Sequence, residues 1–388
     1  WEQRKLGEIV ERVVRKNTNN ESTLPLTISA QYGLVDQITY FNNRVASRDV
    51  SNYYLVLNGE FAYNKSTSDG FPFGAVKRLD LYPMGVLSTL YIVFSIQEKE
   101  RTESDYLSVF FDTDRWHRGV AERAAEGARN HGLLNITAED FFDIDLFLPP
   151  KKQEQEKIGS FFRALDNLIT LHQRKHEKLV SIKKALLEKM FPKNGTKIPE
   201  IRFSGFTDAW EQRRLGECFD ERQERSAEGE LISVTINFGI KKFDELGRHD
   251  NSSDDKSHYK KVVLGDIAYN SMRMWQGASG YSPYNGILSP AYTVITPRDG
   301  VSSLFFSYVL KRETMIHTFQ NRSQGITSDT WNLKFPAFSE IDTMLPTKQE
   351  QEKIAVFFRE IDSLITLHQR ELEKLRNIKK ACLEKMFV

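Results

Sequence analysis

Residues 152–191 read KQEQEKIGSFFRALDNLITLHQRKHEKLVSIKKALLEKMF, and this stretch returns almost unchanged near the end of the chain. Residues 348–387 match it at 30 of 40 positions, at an offset of 196. Apolar residues recur in alternating steps of three and four, and Gly and Pro are nearly absent inside both copies. That period is typical of a coiled coil. The stretch therefore predicts two long helices whose matched faces pack against each other in antiparallel orientation.

The predicted helix seam repeats in both copies, and at about 1.5 Å per residue each helix is a rod of roughly 60 Å. In the first copy the seam positions are Ile158, Phe161, Leu165, Leu168, His172, Lys175, Leu179, Ile182 and Leu186. In the second copy they are Ile354, Phe357, Ile361, Leu364, His368, Glu371, Leu375, Ile378 and Cys382.

A histidine lies in the middle of each seam, within LITLHQR at residues 168–174 and 364–370. No carboxylate or cysteine stands at ligand spacing around His172 or His368, which disfavours a metal-binding or catalytic role. A polar residue at a coiled-coil core position fixes register and orientation at some loss of stability. We therefore predict that both histidines set the register of the helix pair.

A second repeat flanks the first. WEQRKLGE at residues 1–8 returns as WEQRRLGE at residues 210–217, at an offset of 209, so the block between the constant segments is 13 residues shorter in the second copy. The two blocks are faintly alike: GEFAYNKS (59–66) resembles GDIAYNSM (265–272), and GVLSTLYIV (85–93) resembles GILSPAYTV (286–294). Short β-branched runs between turn residues predict a mixed α+β domain in each block. Tyr63 and Tyr269 are expected in the two cores.

These repeats predict an α+β chain, a pseudo-twofold tandem of two globular α/β domains separated by two long helices in an antiparallel coiled coil. The predicted boundaries are a first domain at 1–150, a central helix at 151–191, a linker and start of the second repeat at 192–217, a second domain at 218–347 and a C-terminal helix at 348–388.

Composition and missing motifs narrow the function. No run of about 18 apolar residues exists to span a membrane, and two widely separated cysteines fit a reducing cytoplasm and give no zinc signature. A phosphate-binding loop, GxSxG, HExxH and GxGxxG after a strand are all absent, as is an Asp- or Asn-Pro-Pro-aromatic cluster for adenine methylation. The chain is therefore expected to be a two-headed recognition module and not an enzyme.

The order of segments resembles a known family. A variable block, a long helix ending in ALLEKMF, the linker KIPEIRFSGFTDAWEQRRLGE, a second variable block and a second helix look like the specificity subunit of type I restriction-modification systems. LPPKKQEQEKI at 148–158 and LPTKQEQEKI at 345–354 are the most specific elements of the resemblance, which covers essentially the whole chain. One departure is that the counterpart of residues 198–209 is missing before Trp1, so we expect a truncated first unit.

The resemblance implies that each variable block is a target recognition domain that reads one half of a bipartite, asymmetric site in double-stranded DNA. The helices would set the gap between the halves and bind two modification (methyltransferase) subunits, and restriction subunits would complete the complex. No cofactor would bind this chain, because S-adenosylmethionine, ATP and Mg would belong to the partners. The alternative is a coiled-coil scaffold with two protein- or glycan-binding heads and no DNA role.

Charge is distributed unevenly along the chain. Residues 9–150 carry 14 basic and 19 acidic residues (net −5), residues 218–347 carry 14 and 16 (net −2), and residues 151–217 carry 15 and 9 (net +6). Phosphate neutralisation supplies much of the affinity of a DNA-binding protein. We therefore expect that partner subunits are needed for tight DNA binding.

Candidate DNA-contacting residues lie in polar loops between the predicted strands, because Arg, Gln, Asn and Ser side chains can bond base edges or phosphates. In the first block they are Lys65, Ser66, Thr67, Lys77, Arg78, Arg129, Asn130 and His131. In the second block they are Arg273, Trp275, Gln276, Tyr281, Arg322, Ser323, Gln324, Thr327 and Ser328.

Overall fold

The computed structural model of the chain divides into two units. Unit 1 comprises Trp1–Gln173 and Arg370–Val388, and unit 2 comprises Arg174–Gln369. The structure describes residues 1–29, 32–67, 71–124, 134–193, 195–236, 238–250, 252–328 and 330–387. Both boundaries fall inside LITLHQR, after equivalent glutamines of the repeat, so each unit contains a part of both long helices.

In the part of unit 1 that the structure describes, ten short strands and four short α-helices accompany the long helices. The strands are β1 (Glu2–Lys5), β2 (Val10–Arg12), β3 (Leu26–Ser29), β4 (Gly33–Asp36), β5 (Tyr54–Leu57), β6 (Phe61–Asn64), β7 (Ala75–Arg78), β8 (Met84–Leu87), β9 (Ile92–Ile96) and β10 (Asp145–Leu148). The helices are α1 (Gln37–Phe41), α2 (Ser104–Phe110), α3 (Asp114–Arg123), α4 (Ala138–Phe142) and the long α5 (Lys152–Lys189).

Unit 2 repeats this order of strands. They are β11 (Glu211–Arg214), β12 (Phe219–Glu221), β13 (Ile232–Thr235), β14 (Gly239–Lys242), β15 (Lys260–Val262), β16 (Ile267–Asn270), β17 (Ser279–Tyr281), β18 (Gly286–Leu288), β19 (Tyr292–Pro297) and β20 (Asp342–Leu345). The helices are α6 (Leu215–Cys218), α7 (Ser303–Val309), α8 (Glu313–Arg322), α9 (Phe335–Ser339) and the long α10 (Lys348–Met386).

Sheet topology is the same in both units. The four-stranded antiparallel sheet has the order β2-β9-β6-β7 in unit 1 and β12-β19-β16-β17 in unit 2. Among the described residues, each unit adds three two-stranded pairings: β1-β10, β3-β4 and β5-β8 in unit 1 and β11-β20, β13-β14 and β15-β18 in unit 2. The predicted α+β class and tandem repeat are therefore confirmed, although the variable blocks share little sequence.

The central strands β6 and β16 explain why FAYN and IAYN recur. Side chains alternate between the two faces of a strand. Phe61 and Tyr63 pack into the cluster that contains the helices, whereas Ala62 packs into a second cluster on the other face. Unit 2 does the same, with Tyr269 in one cluster and Ala268 in the other. Both tyrosines are fully buried, as predicted.

A glycine precedes each central strand because the turn needs a left-handed residue. Gly59 has φ +85° and Gly265 has φ +96°, a region that side chains with a Cβ rarely adopt. After the turn the chain forms one continuous strand in each copy. The apolar stretch at residues 84–96 forms two strands, β8 and β9, which are separated by residues 88–91 and belong to different sheets.

Each long helix begins on a buried glutamine amide. Gln155 accepts a hydrogen bond from the Glu103 backbone N–H (2.8 Å) and donates to the Pro149 carbonyl (2.8 Å). Gln351 makes the equivalent bonds to the Ser302 N–H (2.9 Å) and the Pro346 carbonyl (2.9 Å). Both glutamines are essentially unexposed. The repeated EQ dipeptide therefore fixes each helix start to the loop before it.

The two long helices pack antiparallel within each unit. In unit 1, Phe162 of α5 contacts Phe387, the residue after α10 (ring centroids 6.2 Å apart), and Asp166 of α5 pairs with Lys379 of α10 (2.8 Å). Residue numbers thus rise along α5 as they fall along α10. In unit 2 the equivalent ion pair joins Lys183 to Asp362 (2.6 Å). The antiparallel prediction is confirmed for the helix segments of each unit.

The predicted seam is wrong at four alternate positions of α5 and at two positions of α10. Ile158 and Leu165 are buried, but Phe161 and Leu168 between them are exposed, and Phe162 is buried instead. Two further seam residues of α5 are also exposed, Lys175 and Ile182. On α10 the exposed seam residues are Leu364 and Ile378. A step of four after Ile158 fits the 3.5-residue period as well as a step of three. The aromatic residues of each globular part select the step of four.

Candidate nucleic-acid interface

Two polar chain segments meet at the same place in each unit, at the end of the central strand. In unit 2, the Leu333 N–H donates to the carbonyl of Ser271, the residue after β16 (2.9 Å). In unit 1, the Leu134 N–H donates to the carbonyl of Lys65, the residue after β6 (3.0 Å). This shared bond brings together segments that lie more than 60 residues apart in sequence, and in unit 2 both segments contain candidate DNA-contacting residues.

The first segment of unit 2 presents Arg273. Its side chain is exposed, and among the residues that the structure describes its guanidinium has no hydrogen-bond or ion-pair partner. Trp275 is half-buried, because its Nε1 donates to the Met272 carbonyl (3.1 Å) and its ring meets Trp331 edge to face (centroids 5.2 Å apart). Gln276 is half-buried beside it. Trp275 thus supports the loop, and Arg273 projects from it.

The second segment of unit 2 is a loop closed at its base. Gln324 and Asn332 exchange backbone hydrogen bonds (3.0 and 2.8 Å). Thr327 and Ser328 lie exposed within the loop, next to Ile326, which is 99% exposed. Two further candidates stand just before this loop. Arg322 is exposed at the end of α8, whereas the hydroxyl of Ser323 donates to the Phe319 carbonyl (2.7 Å) and caps the end of that helix.

Three residues of this surface were missed by sequence reasoning. Trp331 joins the two segments through Trp275, Ile326 lies at the exposed tip, and the side-chain oxygen of Asn332 is buried without a hydrogen-bond partner among the described residues. A tryptophan and an isoleucine within a Ser, Thr and Gly-rich stretch were the available signal.

Unit 1 presents a smaller described surface. Ser66 is exposed, Thr67 is half-buried, and the ammonium group of Lys65 donates to the Ile136 carbonyl (3.4 Å). The predicted residues Arg129, Asn130 and His131 lie outside the described residues.

Lys77 and Arg78 of unit 1 require a correction. Arg78 donates to Asp80 (2.6 Å), Asp105 (2.7 Å) and Ser104 (2.7 Å), and its side chain is only 8% exposed. Lys77 pairs with Asp112 (3.2 Å). Both cationic side chains form ion pairs within unit 1, so we remove these two residues from the candidate interface.

Tyr281 is also displaced from the two loops. It lies on β17, an edge strand of the four-stranded sheet, opposite Ile267, and its side chain is half-buried. His172 and His368 are half-buried on their helices, and their role in setting register stays a prediction.

A basic cleft of about 1400 Å³ lies in unit 2 between the end of α5, residues 192–197 and α8. Its cationic lining residues are Lys183, Lys184, Lys193, Lys197, Lys311 and Arg312. Burial, together with the nearby ammonium of Lys183, lowers the pKa of Lys311 to about 8. The cleft therefore concentrates positive charge in a chain whose variable blocks are net acidic.

Within the described ranges, no group of three or more His, Cys, Asp or Glu side chains is placed to hold a metal ion. The described helices also include none long and apolar enough to cross a membrane.

The repeated fold and its paired polar loops define a tandem recognition protein. The chain belongs to the family described as the type I restriction modification DNA specificity domain, whose model matches residues 1–181 and 207–377.

Two relatives and one solved structure that are similar to this chain are named as specificity subunits. A Methanocaldococcus jannaschii protein named as the MjaX specificity subunit of a type I restriction enzyme is 23% identical over 98% of this chain and 91% of its own length. The MjaVIII specificity subunit of the same organism is 25% identical over 64% of this chain and 62% of its own length. The crystal structure of a type I restriction-modification S subunit from M. genitalium, 14% identical, matches with a TM-score of 0.56 over 100% of this chain and 96% of that one, which supports the fold.

Proposed function

We propose that this chain is the subunit that gives a type I restriction-modification complex its DNA sequence specificity, each unit reading one half of a bipartite, asymmetric site. The observation that carries the proposal is the repeated junction at the end of the central strand. Two different sets of polar side chains stand on the same scaffold there, Lys65 to Thr67 in unit 1 and Arg273 to Gln276 in unit 2. A shared scaffold with different readers accounts for two different half-sites.

Arg273 is the strongest candidate for a base contact. An arginine fork pairs with two acceptors of guanine in the major groove, a contact worth about 1–3 kcal/mol of discrimination. The guanidinium is exposed and has no partner among the described residues, and the Trp275–Trp331 contact stiffens the loop that carries it. Arg322, Gln324, Thr327 and Ser328 supply further base or phosphate contacts from the facing loop.

Methylation and cleavage belong to partner subunits in this proposal. Two modification subunits would bring S-adenosylmethionine, restriction subunits would bring ATP and Mg, and this chain would be a non-catalytic cytoplasmic component. The net charges of −5 and −2 on the variable blocks support a need for partners in DNA binding. An apolar surface for them is present in each unit: Leu168 and Leu171 are exposed in unit 1, and Leu364 and Leu367 are exposed at the equivalent positions of unit 2.

The test compares methylomes of a strain with and without the gene, and then with single variants. Loss of the gene should remove one bipartite adenine-methylated motif. Arg273→Ala should relax or abolish recognition of one half of that motif and leave the other half intact. Arg298→Ala is a matched control, because Arg298 is an exposed arginine that pairs with Asp220 (2.5 Å). It follows the end of β19 that lies away from the junction after β16. Uniform loss at both halves with Arg273→Ala would refute the assignment, and an unchanged methylome without the gene would refute the function.

A further inference from the structure

One position of the repeated fold carries opposite charges in the two units. Helices α2 and α3 of unit 1 correspond to α7 and α8 of unit 2 at an offset of 199, so Asp112 corresponds to Lys311. The long helices correspond at an offset of 196, so Lys379 of α10 corresponds to Lys183 of α5. Each unit therefore places the same helix lysine near this position, but only unit 1 offers it an aspartate there.

In unit 1 the charges around this position balance. The Asp112 carboxylate pairs with Lys77 (3.2 Å) and Lys379 (3.1 Å). Lys379 also pairs with Asp166 of the facing helix (2.8 Å). Two carboxylates thus face two ammonium groups, so unit 1 supplies its own anion at this point.

In unit 2 the carboxylate of the facing helix is already occupied. Asp362, which corresponds to Asp166, pairs with Lys183 (2.6 Å) and accepts a hydrogen bond from the Tyr308 hydroxyl at its other oxygen (3.0 Å). Lys311 forms no ion pair with any described residue, and its ammonium donates to a backbone carbonyl (3.0 Å). Burial and the nearby Lys183 lower the pKa of Lys311, as expected for a cation without a carboxylate of its own.

The next residue adds a second cation without a carboxylate. In unit 1 it is Thr113, whose hydroxyl accepts a hydrogen bond from the first turn of α3 (3.4 Å). In unit 2 it is Arg312, whose side chain does not cap α8. The Arg312 guanidinium donates to the Pro192 carbonyl (3.3 Å), lies over the Phe191 ring (4.8 Å) and has no carboxylate partner among the described residues. Burial lowers its pKa.

Lys183, Lys311 and Arg312 all line the basic cleft of unit 2. Together with Asp362 they leave an excess of two positive charges, three cations against one carboxylate. Three other acidic side chains line this cleft, but all are exposed and none pairs with Lys311 or Arg312 within the described part of the chain; they are Glu188, Glu313 and Asp342. The equivalent cleft of unit 1, about 800 Å³, has five acidic side chains among its described lining residues, Asp112 included.

We propose that the cleft of unit 2 binds a phosphate group with two negative charges, a phosphate monoester or inorganic phosphate, at Lys311 and Arg312. The bound anion takes the place that the Asp112 carboxylate has in unit 1. The charge selects the ligand class, because a phosphate monoester carries about 1.5–2 negative charges at pH 7, whereas a carboxylate or a phosphodiester of the DNA backbone carries one. The planar guanidinium of Arg312 suits two phosphate oxygens, and the ammonium of Lys311 supplies a point charge.

The phosphate site is separate from the candidate DNA-reading loop. It lies at the start of α8, whereas the loop follows the end of that helix, ten residues away, or about 15 Å at 1.5 Å per residue. The proposal therefore goes beyond DNA recognition and does not depend on it.

The first experiment titrates inorganic phosphate into the full chain by isothermal calorimetry at constant ionic strength, at about pH 7.5, where phosphate is mostly doubly charged. Saturable binding at one site is expected. Lys311→Asp, which restores the residue of unit 1, should weaken it at least about tenfold, because a like charge would face the anion. Lys261→Asp is the matched control: Lys261 is an exposed lysine of β15 outside the cleft, so this variant should bind like the wild type.

The second experiment measures amide hydrogen exchange with and without phosphate, in the wild type and in Lys311→Met. Phosphate should slow exchange at the start of α8 in the wild type but not in Lys311→Met. Exchange in α3 of unit 1 should not respond, because Asp112 already fills the equivalent position. Phosphate also stabilises proteins in general by its exclusion from their surface, so the difference between the two helices is the result that counts.

Three outcomes would overturn the proposal, whatever the methylome test shows. They are an absence of saturable phosphate binding by the wild type, equal binding by Lys311→Asp, and an equal response of α3 and α8 to phosphate. A DNA duplex without terminal phosphates should not compete with inorganic phosphate. Competition by such a duplex would overturn the choice of a doubly charged phosphate and make the cleft a contact for the DNA backbone.

Discussion

Asp112 holds the long-helix segment of unit 1 to its globular part, so its removal should be costly. The carboxylate lies between the ammonium groups of Lys77 (3.2 Å) and Lys379 (3.1 Å), and Lys379 also pairs with Asp166 (2.8 Å). Burial alone would raise the pKa of Asp112, but the two lysines outweigh burial and hold that pKa at about 2. We predict that Asp112→Asn destabilises unit 1.

The size of the effect follows from the shift in pKa. The pKa of Asp112 is about 2 in the folded chain against an ordinary value of 3.8, and a difference of this size corresponds to about 2 kcal/mol of stability at neutral pH. Because the folded pKa lies below the unfolded one, this stability is present above about pH 4 and is lost as the pH falls toward 2. The difference between the wild type and Asp112→Asn should therefore close over the same interval.

Hydrogen exchange of the amides in α2 and α3 reports on unit 1 alone. At pH 7, exchange in Asp112→Asn should be roughly 30-fold faster, the equivalent of about 2 kcal/mol, and urea midpoints at pH 7, 5, 4 and 3 should show the two proteins converging. Asp114→Asn, which removes a nearby carboxylate that is 78% exposed, should have little effect. A difference that stays constant down to pH 3, or an Asp114→Asn variant as unstable as Asp112→Asn, would refute the reasoning.

Three further changes test unit 2. Lys311→Met should raise the unfolding free energy at pH 7 by about 1–2 kcal/mol, because burial and Lys183 lower the pKa of Lys311 to about 8. This gain in stability should vanish above about pH 10.5, where the lysine is neutral in both states, and urea unfolding at both pH values measures it. Gly280→Ala should lower the melting temperature, because its Cβ would lie 2.8 Å from the Gly239 Cα and overpacking costs about 1–3 kcal/mol; an unchanged melting temperature would contradict this contact. Arg202→Ala should destabilise the unit by about 3–5 kcal/mol in urea unfolding, because its fully buried partner Glu350 loses its counter-charge. A loss below about 1 kcal/mol would show that the Glu350 carboxylate is hydrated instead.

Much of the fold could be predicted from repetition alone. Two copies of a 40-residue helix and two copies of an eight-residue start fix the tandem arrangement, because equal sequences form equal local structure. The strand motifs around Tyr63 and Tyr269 also placed the two cores correctly. The helix seam was half wrong because adjacent phenylalanines, as at residues 161 and 162, satisfy the heptad period in two registers. Only the neighbouring aromatic side chains of each unit select one.

The candidate interface was predictable in part. Loop residues such as Arg273 and Arg322 could be proposed from residue type. Their segments are joined by tertiary contacts across about 60 residues of sequence, among them the Leu333–Ser271 hydrogen bond and the packing of two tryptophan rings. The same reasoning failed for Arg78, since nothing in the sequence shows that Asp80 and Asp105 converge on it. Charge and exposure at a site are properties of the assembled unit.

The sequence by itself determined the repeat, the α+β class, the two long helices and the resemblance to specificity subunits, because these follow from local pattern and period. Tertiary structure decided which helix face is buried, which basic residues are neutralised and which stay exposed. The physical reason is that burial and ion pairing join residues that lie far apart in the chain.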